Sequence, residues 1–312
     1  PQRHQRAGEV DEGFDGVGNA RTHESGRPVD ASGSIFIPGR TSDAFHGTRE
    51  LEQRAHALVE EAAQNRTTAT ELLVKAREHL YQKLHMPLPR HHSQYQRPLV
   101  MLAASSQIQA RFDAFYYSAP NLEARTAFDG GAAITAQLGK VAKVFIPGIF
   151  KRRYALDPNF GYPYITGADV FNIAPTTNLF LMRKVAEEYG LMLENGMIVI
   201  QEAGQLGGLI GRSVMVGSYL NGFACTNNMI RVTPKDKEDT GYLYTLLSSE
   251  YGVRLIARES AGSSIPHIET SRIANLVIPW PDSHVREQIG LFAARALQLR
   301  DQACDLEDEA RA

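Results

Sequence analysis

Cysteine is almost absent from this sequence: Cys225 and Cys304 are its only two, and they lie far apart. That excludes a disulfide framework and any metal knuckle built on thiolates. Long apolar runs are missing as well, none approaching the ~18 residues that a membrane-spanning helix needs. The opening Pro1, Gln2, Arg3 and His4 lacks the apolar centre of a secretory signal. A cytoplasmic protein, neither secreted nor membrane-spanning, is expected. The third absence is an excess of charge of one sign, because the formal net charge is −2 and the pI about 6.6. No global basic field draws in a polyanion, so any such contact must be local. Residues 1–34 also lack apolar periodicity, being rich in Gly, Asp, Glu and Arg, and read as a flexible tail.

What is present begins with a repeat. Ile35, Phe36, Ile37 and Pro38 form a short apolar strand ending in proline, and Leu276, Val277, Ile278 and Pro279 repeat it 241 positions later. Each copy is followed by a polar connection and a long helical pattern. The first helix, from about Arg49 to Leu84, carries a heptad seam at Leu51, Ala55, Leu58, Ala62, Asn65, Ala69 and Leu72. The second carries Phe292, Ala296, Leu299, Ala303 and Leu306, the same register displaced by the same 241. So narrow a stripe is buried only when two helices lie along each other, so a coiled coil is predicted. The first helix would be about 50 Å long at ~1.5 Å per residue, which is the shape of a spacer. Asn65 stands where the copy has Leu306, either a polar seam position of the kind that fixes register or a solvent-facing residue at a local irregularity.

Met86, Pro87, Leu88 and Pro89 end the first helix, because proline removes a donor and disfavours helix before it. The chain thus divides into a tail (1–34), a strand with spacer helix (35–85), a proline-rich linker (86–98), a central domain (99–283) and a second, shorter spacer helix (284–312). Within the central domain, β-branched and aromatic runs at 144–146, 162–165, 197–200, 214–216, 228–232 and 275–278 alternate with helical patterns at 180–190 and 241–258. A mixed α/β fold, with a mixed sheet flanked by two long helices, is predicted.

Four enzyme-like patterns fail in context. Phe14, Asp15, Gly16, Val17 and Gly18 match a cofactor-binding F-x-G-x-G, but no apolar strand delivers them. Asp157, Pro158, Asn159 and Phe160 approximate the Asp-Pro-Pro-Tyr of amino-methyltransferases, yet lack the second proline and read as a turn. The stretch from Gly131 to Lys140 has the wrong glycine spacing for a phosphate loop, and Val141 replaces the metal-binding hydroxyl. Gly204, Gly207, Gly208 and Gly211 lead into another strand rather than a helix, which is a hairpin and not a dinucleotide fold. His79, His85, His91 and His92 crowd a helix end and linker without partner carboxylates or cysteines to complete a metal site, and read as surface groups. No cofactor, metal or catalytic set is therefore expected.

The remaining candidates suit a nucleic acid. Lys151, Arg152, Arg153 and Tyr154 follow Pro147 and Gly148, so three cations and an aromatic fall on a loop able to meet phosphates. Gln201, Gln205, Asn227 and Asn228 are amides at strand ends, the residue types that bond adenine bidentately. Ser263 and Ser264, after Gly262 and ahead of His267, form a small loop whose N–H groups could cradle a phosphate. Solvated surface and ordinary turn chemistry account for each of these features singly.

Their order resembles one family. Arg111 to Tyr117 looks like the R-x-D-A-x-Y-Y opening of a target recognition domain in the specificity subunits of type I restriction-modification systems. Pro147 to Tyr154, followed by Tyr162 to Asp169, is similar to its P-G-R-F-K-R-x-Y and P-[FY]-[IL]-x-G-x-D run. Glu194 to Ile200 with Gly204 and Gly211, then Gly262 to Ile268 and Leu276 to Pro279, resemble the later strands. The resemblance implies a non-catalytic subunit in which antiparallel helices hold recognition domains at a fixed separation on double-stranded DNA. It implies a partner adenine or cytosine methyltransferase and a restriction or translocase subunit. A second recognition domain is not found, so residues 1–34 would be its remnant, or the chain a half-subunit whose open seams pair with another copy.

Overall fold

The computed structural model describes residues 42–90, 108, 111–132, 134–262 and 264–312, which fall into two compact units, 1–57 and 58–312. The predicted strand at Ile35 and the Phe14 to Gly18 pattern lie outside the described residues, as do His91, His92, Ser263 and most of the linker. In the first unit the described part is helical, the start of α1 (Ser42–Lys83), which begins seven residues before the expected Arg49. Leu51, expected in a buried seam, is 65% exposed, and Ala55 is half-buried. An apolar stripe is buried only where a second surface lies on it, which corrects the expectation for Leu51.

The second unit continues α1 and adds α2 (Ala119–Gly130), β1 (Thr135–Gln137), α3 (Leu138–Val141), β2 (Ala142–Phe145), β3 (Gly161–Ile165) and β4 (Phe180–Met182). It goes on through α4 (Arg183–Glu188), β5 (Ile198–Gln201), β6 (Ser213–Met215), β7 (Ala224–Cys225), β8 (Met229–Pro234), α5 (Thr240–Ser248) and α6 (Glu250–Arg258). The chain then forms β9 (Ser260–Ala261), β10 (His267–Ile268), α7 (Thr270–Ala274), β11 (Val277–Pro279) and α8 (Ser283–Arg311). The fold is mixed α/β with open sheets and a long helix at either end, as the sequence predicts. The helical pattern at 241–258 is two helices, however. Ser249 breaks it: its Oγ donates to the Leu246 carbonyl (2.7 Å) and accepts from the Gly252 N–H (3.0 Å), ending α5 and capping α6. The pattern at 180–190 likewise gives its first residues to β4 before α4 begins.

The central sheet is antiparallel in the order β2-β8-β5-β6. Both of its faces are covered, so its strands read as unbroken apolar runs rather than alternating ones. Ile198, Ile200, Ile230 and Val232 point to the helices, while Val199, Val214 and Met229 point to the opposite layer. That layer rests on a three-stranded sheet, β4-β3-β7, in which β3 and β7 are parallel. A cation joins the two sheets. Arg231 on β8 is fully buried, and its guanidinium donates to the carbonyls of Leu191 (3.0 Å), Cys225 (3.2 Å) and Met229 (3.3 Å). Burial lowers its pKa, and burial likewise pushes the neighbouring Cys225 thiol up to about 12.

The helix α8 is buried on two sides. One stripe meets α1: Ala69 packs with Ala296 and Leu299, and the His79 ring lies 5.0 Å edge-on from Phe292. Further along, Arg66 of α1 pairs with Glu307 of α8. As α1 advances from Arg66 to His79 its partners recede from Glu307 to Phe292, so the helices run antiparallel. Ala62, Ala69, Ala76, Ala296 and Ala303 are essentially inaccessible, while Leu58, Asn65, Leu72, Phe292 and Leu306 are half-buried. The other stripe meets α5 at a glycine pair. A Cβ on Gly241 would stand 2.4 Å from the Gly290 carbonyl oxygen, and one on Gly290 would stand 2.8 Å from the Tyr242 nitrogen.

Two outcomes are expected. Gly241→Ala should lower unfolding free energy by about 1–3 kcal/mol in denaturant titration, because backbone rather than a flexible side chain meets the methyl. An unchanged midpoint would show that the crossing is loose. Glu307 is held below the ordinary carboxyl range, chiefly by its hydrogen bond from Arg66. A lowered folded pKa gives stability that is complete above the unfolded value and is lost as pH falls through the folded one. Glu307→Gln should therefore flatten the acid limb of the stability profile, and an acid limb as steep as the parent's would remove this pair from the account.

Candidate functional site

Several of the sequence motifs turn out to hold backbone in place. Arg111 donates from Nε to Asp113 Oδ2 (2.7 Å) and from its Nη atoms to the carbonyls of Arg258 (3.3 Å) and Ser260 (2.7 Å). Asp113 Oδ1 accepts from the Tyr116 N–H, and the Tyr117 hydroxyl donates to the Arg111 carbonyl. The R-x-D-A-x-Y-Y pattern is thus a knot that pins this segment to the end of α6. The pattern from Thr166 to Asp169 works similarly, with Asp169 Oδ2 accepting from both the backbone N–H and the hydroxyl of Thr166 at 2.7 Å. Asp157 caps the turn at Pro158–Phe160, as expected for turn chemistry. Gly204, Gly207 and Gly211, all with positive φ, shape the β5–β6 hairpin.

Among the described residues, the sequence-predicted candidates fall into two exposed groups. The first lies on the three-stranded sheet. Lys151, Arg152, Arg153 and Tyr154 are exposed on the segment after β2. This segment runs along β4: the Arg153 carbonyl accepts from Met182 N–H, and Ala155 N–H donates to the Phe180 carbonyl. Arg152 is steadied by donating from Nε to the Tyr164 hydroxyl at 3.1 Å. Burial raises the pKa of Tyr164, so this hydroxyl stays protonated. Arg183, whose guanidinium lies 5.3 Å from the Tyr162 ring centroid, and Lys184 add two exposed cations that sequence reading passed over. They sat inside a helical pattern, where a charge reads as solvated face. Large apolar residues are exposed among these cations, including Ile149 (88%), Leu156 (105%) and Phe160 (69%).

The second group gathers at one end of the central sheet. Ala203 bridges His267, Gly204 N–H donates to the Pro266 carbonyl (3.2 Å), and Glu202 N–H donates to the Asn228 carbonyl (3.2 Å). The hairpin bearing Gln205, the turn bearing Asn227 and Asn228, and the loop bearing Ser264 are thereby brought together. Gln205, Asn228 and Ser264 are exposed and Asn227 is half-exposed. His267 Nδ1 sits 2.8 Å from Glu202 Oε1 across the same strands. Gln201 differs from expectation. Its Nε2 donates to the Ala203 carbonyl (2.8 Å), its Oε1 is buried, and a Cβ on Gly167 would come within 2.6 Å of that oxygen. The amide shapes the hairpin instead of facing outward, since a side chain on the inner end of a strand points into the next layer.

The segment that follows β6 of the central sheet is joined to the long helix. Asp301 of α8, 9% exposed, accepts from the Ser218 N–H (2.6 Å) and hydroxyl (2.9 Å), and the Tyr219 hydroxyl donates to Asp308 (2.9 Å). Gly217 makes the approach possible, because a Cβ there would lie 2.1 Å from Asp301 Oδ2. Among the described residues, no three metal-capable side chains converge and no helix is long and apolar enough to cross a membrane. Asp301→Ala should cost about 1 kcal/mol by removing the hydrogen bonds that it accepts from Ser218. It should also speed amide exchange at Ser218. Parent-like protection of Ser218 would show that the joint is held elsewhere.

Comparison with known proteins adds the following. A sequence model of the family described as "Type I restriction modification DNA specificity domain" matches residues 135–292. No curated protein matches the chain. Among solved structures, the type I restriction-modification S subunit from M. genitalium shares 13% identity at a TM-score of 0.46, over 85% of this chain and 56% of that one. The HsdS subunit from Thermoanaerobacter tengcongensis shares 12% identity at 0.41, over 93% and 64%. A structure concerning complex assembly and conformational transition of the type I R-M system shares 14% identity at 0.40, over 90% and 61%. The chain thus spans less than two thirds of the length of each of these structures.

Proposed function

The chain belongs to the family of type I restriction modification DNA specificity domains, and on that premise we propose that it reads a DNA sequence and supplies the address for chemistry done by a partner. The family match over the whole central sheet carries this reading. The exposed cations Lys151, Arg152 and Arg153, with Arg183 and Lys184, would meet the sugar-phosphate backbone. Gln205, Asn227 and Asn228, gathered at one sheet end, would meet base edges, where amides discriminate adenine, and the loop bearing Ser264 beside them would cradle a phosphate. In this reading Gln201 is a positioning residue. The chain itself would be non-catalytic, would need no cofactor and would work in the cytoplasm. Its partners would be a DNA methyltransferase and a restriction or translocase subunit, with α1 and α8 as the spacer between recognition domains. A second copy of the chain would then be one source of the other recognition domain.

Salt dependence tests the DNA interface. Lys151→Ala and Arg153→Ala should weaken binding to every duplex alike, and removing one cation from a phosphate should reduce the log–log salt slope by about 0.9. Arg152→Ala should do more, since it also releases Tyr164. An unchanged slope in all three would remove this segment from the interface. The address itself is tested by co-expressing the chain with a cognate methyltransferase and mapping methylated bases. If residues 99–283 are exchanged for those of a relative and the methylated motif stays the same, the reading fails.

A further inference from the structure

A second cationic feature lies away from the loop at Lys151. Arg125 of α2, Arg258 at the end of α6 and Arg272 of α7 line a cleft of about 270 Å³, with Tyr116, Glu259 and Asn275 completing its polar wall. Arg258 is only 6% exposed, and its Nε and Nη1 have no hydrogen-bond partner among the described residues. Its guanidinium lies 3.8 Å from the Tyr116 ring centroid, and the Arg111 guanidinium shares that ring at 5.1 Å. An aromatic face attracts a cation but supplies no acceptor in line with the N–H bonds, so it does not replace the hydrogen bonds to water that burial removes.

The carboxylates nearest Arg258 and Arg272 stand too far off for good hydrogen bonds. Glu259 stands 3.5 Å from both Arg258 Nε and Arg272 Nη1, beyond good hydrogen-bond length for either. Glu269 is 3.5 Å from Arg272 Nε, which is also a buried donor without a hydrogen-bond partner among the described residues, and Arg125 is already paired with Asp129. Two guanidiniums therefore share one inner carboxylate. Donors planar, charged and unfilled on one cleft are what a tetrahedral oxyanion satisfies with several oxygens at once.

We propose that this cleft binds a phosphate group, with Arg258 as its buried donor and Arg272 as its outer one. The phosphate can belong to the DNA backbone or to a free phosphate compound. Only the backbone source rests on the DNA reading above, and it would place a fixed anchor on the same chain stretch that carries Ser264.

The test uses the full chain. Unfolding midpoints are measured in inorganic phosphate against chloride at matched ionic strength, for the parent, Arg258→Gln and Arg272→Gln. The parent should be stabilised by phosphate, and both variants should need about tenfold more of it for the same rise. Arg272 is a third exposed, so Arg272→Gln should fold even if loss of the buried Arg258 does not permit folding. A parent midpoint that ignores phosphate, or an Arg272→Gln variant that responds as the parent does, overturns the proposal. Duplex DNA then identifies the source. A salt slope reduced by about 0.9 in Arg272→Gln assigns the site to a backbone phosphate, whereas a parent-like slope without the phosphate response assigns it to a free phosphate compound. Failure of the parent to retain DNA at low salt would sink the DNA reading and leave the phosphate result standing.

Discussion

Everything in the second unit depends on one helix satisfying two surfaces at once. A helix with a single apolar stripe can slide or rotate on its partner at little cost, because the contact is nearly periodic. The α8 helix cannot. Its seam toward α1 runs through Phe292, Ala296, Leu299 and Ala303, while Ile289, Gly290 and Ala293 lie against the main core. Rotation that improved one contact would open the other. The Gly241–Gly290 crossing fixes translation, since neither backbone has room for a Cβ. Asp301 closes the third direction through a short pair of hydrogen bonds to Ser218. The orientation of the helix pair relative to the central sheet is thereby set by backbone and buried polar atoms, which deform least.

That constraint also explains what could be read from the sequence and what could not. The seam was legible because alanine and leucine at heptad spacing have few other uses, and the duplicated register doubled the signal. Strands β5 and β8 were legible because both faces are buried, giving apolar runs with few alternatives. The second stripe on α8 was hidden: Gly290 and Asp301 look like weak helix formers in a sequence, and their purpose appears only with Gly241 and Gly217 opposite them. Arg231 was equally silent, because a lone cation in a strand reads as an exposed edge position. Its three carbonyl acceptors come from separate segments that no spacing rule links. Of the site, the basic loop was legible from composition, whereas the inward turn of Gln201 depended on Gly167, distant in sequence.

Arg231 shows how the fold uses polarity to connect layers. A buried guanidinium without a carboxylate is costly, and a hydrophobic residue of like volume would often stabilise more. Its donors reach the carbonyls of Leu191 and Cys225, which belong to the three-stranded layer. Apolar packing resists a shift of the two sheets through shape alone, and hydrogen bonds to fixed carbonyls add a directional constraint. The layer carrying Lys151, Arg152 and Arg153 is thus held in register with the layer whose end gathers Gln205, Asn227 and Asn228.

Charge distribution bears on the proposed reading in the same way. With a net charge of −2, long-range attraction to a polyanion is weak, and binding must rely on cations placed at close range. The exposed cations on one small sheet and two underpaired guanidiniums in a cleft are such placements. Because screening acts within about 8 Å at physiological salt, each group contributes only when the duplex is seated in one pose. A globally basic protein would hold DNA in many orientations, gaining affinity while losing discrimination. On the proposed reading, local cations on a rigid frame would favour the pose in which the amides at the sheet end face the bases. On that reading, the α8 that fixes the sheet would also orient the part of α1 that packs on it within the second unit, from Ala69 to His79.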